Sequence, residues 1–62
     1  MQATATVSLH LAAAHQAALL ATRELLAAAQ ESPDEMARVE LLGAATEIAR
    51  ALETHRHLWP ST

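Results

Sequence analysis

Four histidines, His10, His15, His55 and His57, stand in a chain of 62 residues. A neutral imidazole is a ligand for zinc, copper or nickel, and it changes charge near neutral pH. Spacing decides what the four can do together. Two ligands on one helix share an ion when they lie three or four residues apart. His55 and His57 are two apart, and on a continuous helix they point about 160° from each other. A metal site built from His10, His55 and His57 at the open end of a folded-back chain therefore needs the helix to fray. With the helix intact, His55 packs into the helix seam and His10 and His57 are solvated, His57 at a C-terminus whose macrodipole attracts positive charge.

His15 falls in the apolar sector of the first helical segment, with Thr22 two turns later. One reading is a haem ligand in a bundle core or a pH switch. The other is an interface histidine whose imidazole must find hydrogen-bond partners. No second histidine or methionine is placed to face it, so no cofactor is expected. Trp59, the sole aromatic residue, either plugs the end of the core or anchors a partner, as tryptophan does at interface hot spots. Gly43, costly in a helix interior by about 1 kcal/mol relative to alanine, is a place where another backbone could approach.

Other chemistry is thinly supplied. Ser8, Ser32 and Ser61 fall at helix ends or in the tail. Asp34, Glu35, Glu40, Glu47 and Glu53 read as capping and solvating groups, with Asp34 to Arg38 and Glu53 to His57 as helical pairs. A lone glycine cannot make a phosphate loop, and no nucleophile has a base at a useful spacing, so the chain is not expected to be an enzyme. The four arginines, Arg23, Arg38, Arg50 and Arg56, are dispersed in a chain of net charge -3. No basic face for nucleic acid follows from that distribution.

The elements that would position these groups are helices. Alanine and leucine dominate, and there is no cysteine to form a disulfide or thiolate site, so a domain this small needs a partner rather than a staple. Ser32-Pro33-Asp34-Glu35 reads as an N-cap hydroxyl, a proline at the first helical position and the glutamate of a capping box. Proline also disfavours the helical conformation for the residue before it, which ends the first helix near Gln30 or Glu31. The spacing predicts one domain, 1–62, with a first helix over about 8–30 capped by Thr6 or Ser8, a turn at about 31–33, and a second helix over about 33–58 stopped by Pro60. So short a connection makes the helices antiparallel neighbours.

The second helix carries a heptad-like stripe, Leu41, Ala45, Ile48, Leu52, His55 and Trp59, which Arg38 extends with its long apolar stem. On the first helix Leu11, Ala18 and Leu25 form one line and Leu19 and Leu26 another, with His15, Thr22 and Ala29 between them. The expected core is thus Leu11, Leu19, Leu25, Leu26, Leu41, Ala45, Ile48, Leu52 and Trp59. Leu9 and Leu20 lie nearly opposite, and Val39 and Leu42 form a second flank, so these four are the expected partner-binding residues. The alanine triplets Ala12-Ala13-Ala14 and Ala27-Ala28-Ala29 would admit another helix closely.

The uncharged run from Val7 to Thr22 is too short and too interrupted, by His10, His15 and Gln16, to span a bilayer. The expectation is therefore an all-α, antiparallel two-helix hairpin pairing into a four-helix bundle as a homodimer. It would act in the cytoplasm as a non-enzymatic adaptor, co-chaperone or inhibitor, binding itself and a larger protein but neither nucleic acid nor membrane. A histidine-based metal- or haem-binding bundle and a self-assembling structural subunit are the competing expectations.

Overall fold

The computed structural model describes residues 2–60, with side chains from Thr4 onward; Met1, Ser61 and Thr62, expected as tail, lie outside the described residues. Two α-helices, α1 (Gln2–Glu31) and α2 (Glu35–Thr54), pack antiparallel and are followed by a single 3₁₀ turn at Arg56–Leu58. No strand occurs among the described residues. Helix α1 begins well before the expected start near residue 8, so Thr6 and Ser8 are interior helical residues rather than caps. Their hydroxyls do not halt the helix because the alanine-rich stretch around and after them has high helix propensity.

The reversal occupies Ser32 to Asp34. Ser32 leaves the helix with its N–H donating to the Ala29 carbonyl at 3.3 Å. The cap of α2 is Asp34, not Ser32. Its backbone is extended (φ -89°, ψ 119°), its Oδ1 accepts the Met36 N–H at 3.2 Å, and its carbonyl accepts the Arg38 N–H at 3.0 Å. A carboxylate at a helix N-terminus satisfies an orphan donor and also opposes the macrodipole, which a neutral hydroxyl does less well. Helix two thus starts two residues later than the capping-box pattern implies, and Glu35 is its first residue rather than the box glutamate. Arg38 reaches back over the turn, its Nη2 donating to the Ser32 carbonyl at 2.9 Å. Its head is tied down instead of free in water.

Small side chains make the contact between the helices. Ala29 and Ala45 are 1% and 2% exposed, and no larger side chain among the described residues is fully buried. Leu11, Leu25, Leu41, Ile48, Leu52 and Trp59 are half-buried around them. Leu19 and Leu26, expected in the core, are instead exposed, at 48% and 42%. One helix covers only a narrow sector of another, and alanines at the centre draw the axes together without widening that sector. Winding at about 100° per residue puts Ala14, Ala21 and Ala28 of α1 and Ala37, Ala44 and Ala51 of α2 toward one side of the seam. Leu19 and Leu26 turn toward the other. Thr22, in the seam, donates its hydroxyl to the Ala18 carbonyl at 2.9 Å, so its polar group is satisfied within its own helix.

The result is thin and long, 50 × 18 × 17 Å, with a radius of gyration of 14.5 Å against about 11 Å for a compact chain of this length. Its accessible surface is 5031 Å², where a compact monomer of the same mass exposes about 3,900 Å². Helix α1 has 30 residues and α2 has 20, so α1 runs on beyond its neighbour by about 15 Å. No helix among the described residues is long and apolar enough to cross a membrane.

Gly43 lies on the outward side of α2, where an added Cβ would meet nothing within 4 Å; within the hairpin it marks no close backbone approach. Gly43→Ala should therefore raise stability by roughly 0.5–1 kcal/mol in urea unfolding, through helix propensity alone. Asp34→Ala should cost about 1 kcal/mol in the same measurement and Ser32→Ala distinctly less, the reverse of the order expected from the Ser-Pro pattern.

Candidate functional site

The open end of the hairpin gathers the aromatic and imidazole side chains. Helix α2 stops at Thr54, and His55 is its C-cap, the His55 N–H donating to the Ala51 carbonyl at 3.1 Å. The chain then tightens, with the Leu58 N–H donating to the His55 carbonyl at 2.8 Å and the Trp59 N–H to the Arg56 carbonyl at 3.2 Å. Ending α2 four residues earlier than expected frees the Leu52 carbonyl, which a continuing helix would have paired with Arg56. The Trp59 indole N–H donates to that carbonyl at 2.9 Å. Trp59 is thus a side-chain cap on the last turn of its own helix.

The same indole lies flat on His15 of α1, with ring centroids 5.5 Å apart and planes 13° from parallel. That is an offset stack within the range where aromatic pairs attract. His15 has no aromatic neighbour on its own helix; the partner arrives from the far end of the chain, forty-four positions away in sequence. His15 and Trp59 border an open depression of about 510 Å³ whose walls include Leu19, Leu52 and Pro60, with Glu53 and Arg56 at its edge. Arg56 Nη1 and Glu53 Oε1 pair at 3.0 Å, both side chains largely in solvent, so this ion pair adds little stability. Among the described residues no buried side-chain nitrogen or oxygen lacks a partner, so the His15 ring nitrogens are not sealed away from water.

The other histidines separate from this pair. His55 is exposed rather than packed in the seam, because the helix ends at the residue before it. The change of winding brings His55 and His57 together, ring centroids 6.3 Å apart and planes tilted by 52°, where an unbroken helix would point them apart. His10 lies on α1 five residues beyond His15, about 7.5 Å further along the axis. Among the described residues no three histidine, aspartate or glutamate side chains come together as a metal site would need.

The four residues expected to bind a partner, Leu9, Leu20, Val39 and Leu42, are all exposed, but they form no single patch. By helical winding, Leu9 and Leu20 face away from α2 and Val39 faces away from α1. Leu42 points to the flank that also holds Leu19 and Leu26, and Ala49 lines the depression there together with Leu19. Leu19, Leu26, Leu42 and Ala49 thus form one apolar strip along the groove between the helices. Met36, also strongly exposed, joins Val39 on the outward side of α2. The pairing of His15 with Trp59 and the leucine flank are the two features that residue spacing alone did not reveal. Comparison with known proteins finds no matching family, no matching curated protein and no matching solved structure.

Trp59→Phe should keep the stack but leave the Leu52 carbonyl without its donor, destabilising by about 1 kcal/mol. His15→Ala should release the indole on its other side, seen as a red-shifted Trp59 emission and a weaker near-ultraviolet dichroism. Trp59 is the only tryptophan, so both signals report this one contact.

Proposed function

We propose that the chain is a cytoplasmic, non-enzymatic protein-interaction module that associates with itself into a four-helix bundle and presents its remaining apolar faces to a larger protein, as an adaptor, co-chaperone or inhibitor does. The observation that carries this reading is that, among the described residues, no side chain larger than alanine is fully buried. Hydrophobic burial is the main favourable term in folding, and a two-helix unit with a core of two alanines leaves most of that term unused. The surplus surface points the same way. The hairpin exposes about 1,100 Å² more than a compact chain of its mass would, and a standard interface takes about 800 Å² from each partner.

Self-association along one side of the hairpin leaves Leu9, Leu20 and Val39, which are exposed and point elsewhere, for a second protein. No residue constellation argues for a reaction, and the dispersed arginines argue against nucleic acid as the partner.

Sedimentation equilibrium should return twice the chain mass at about 10 µM, and the melting temperature should rise with protein concentration, as mass action requires of a dimer that stabilises its own fold. A monodisperse, fully helical monomer whose melting temperature ignores concentration would overturn the reading.

A further inference from the structure

The groove flank bearing Leu19, Leu26, Leu42 and Ala49 leaves three leucines open between the two helices. Its three leucines are 48%, 42% and 42% exposed. Along α1 the strip runs from Leu19 to Leu26, and along α2 from Ala49 back to Leu42, so both edges span two turns, about 10 Å. No charged side chain stands at its centre. Charges lie on the rims. By winding, Arg23 borders the strip on the α1 side, and Glu35, Glu53 and Arg56 border it on the α2 side, where Arg56 pairs with Glu53 at 3.0 Å. Arg38, nearer the turn, is engaged with the Ser32 carbonyl.

We propose that a second copy of this chain covers this flank, related by a two-fold axis running along the length of the hairpin. The proposal rests on the self-association argued above and names its surface and geometry. An axis in that direction lays α1 of each copy over α2 of the other and keeps residues at the same level. Leu26 then meets Leu42 of the second copy, and Leu19 meets Ala49, a large residue against a small one. Every neighbouring pair of helices is then antiparallel, so their dipoles oppose. A two-fold axis across the hairpin instead sets α1 on α1, bringing the two Arg23 side chains together on the same rim. The hairpin as a whole exposes about 1,100 Å² more than a compact chain of its mass, against the roughly 800 Å² per partner that a stable pair buries. The alanine flank on the opposite side offers only methyl groups, and the outward residues Leu20 and Val39 each stand on a single helix.

The chain contains no cysteine, so single-cysteine variants test the surface without side reactions. Leu26→Cys and Leu20→Cys keep an apolar residue and the helical fold, and their alkylation by a maleimide is followed at concentrations above and below dissociation. Protection of Leu26→Cys by about tenfold at the higher concentration, with Leu20→Cys reacting at one rate throughout, is the expected result. Protection of Leu20→Cys, or a self-associating chain in which Leu26→Cys is never protected, overturns the surface while leaving self-association intact. A chain that stays monomeric in sedimentation overturns both. A short bismaleimide joining two Arg23→Cys chains more readily than Arg23→Cys to Thr46→Cys, which lies at nearly the same level on the rim of the other copy, would overturn the direction of the axis.

Discussion

The antiparallel contact of α1 with α2 is made by alanines, and the rest of the molecule follows from how narrow that contact is. Ala29 and Ala45 meet neighbours on all sides, and the small side chains spaced seven apart on both helices let the axes come close. Close approach maximises dispersion per residue at the seam but covers only a thin stripe of each helix. Every leucine more than a stripe's width from the seam is left with one side in water.

The two ends of the hairpin solve the same problem in opposite ways. At the closed end a helix begins, its first N–H groups lack partners, and the carboxylate of Asp34 supplies one while Arg38 holds the turn from above. At the open end a helix stops, its last carbonyls lack partners, and the Trp59 indole supplies a donor to Leu52. Because that indole also stacks on His15, a local capping device becomes the long-range clasp that joins the C-terminal segment to the middle of α1.

The leucine flank and the outward leucines have different standing. Leu19, Leu26 and Leu42 share a groove between two helices, which a helix pair of the same shape can fill. Leu9, Leu20 and Val39 project from single helices. In the function proposed above, the groove takes a copy of the chain and the outlying residues a second protein. The histidines at the open end, two brought near each other by the 3₁₀ turn and one stacked on tryptophan, are tied to the termination of α2 rather than to any cluster of ligands.

Much of the helical architecture was legible in the residues themselves. Pro33, the paired acidic residues after it and the 3.6-residue periodicity of Leu41, Ala45, Ile48 and Leu52 specify two antiparallel helices with a short reversal, because proline and helix periodicity act locally. Three decisions needed the folded chain. The cap passed from Ser32 to Asp34 because the turn sets the Asp34 carboxylate against the Met36 N–H while the Ser32 hydroxyl donates to the Asp34 carbonyl, a choice only the geometry of the turn makes. Helix α2 ended at Thr54 because Trp59 gains a carbonyl and a stacking partner by turning back, and that partner, His15, sits on the other helix. The inner face of α1 centred on Ala18 and Ala29, leaving Leu19 and Leu26 outside, because which side of a helix is covered depends on how closely its neighbour approaches. Local pattern sets what each segment becomes; the distance and register between segments, which involve residues far apart in the chain, set which side chains water still reaches.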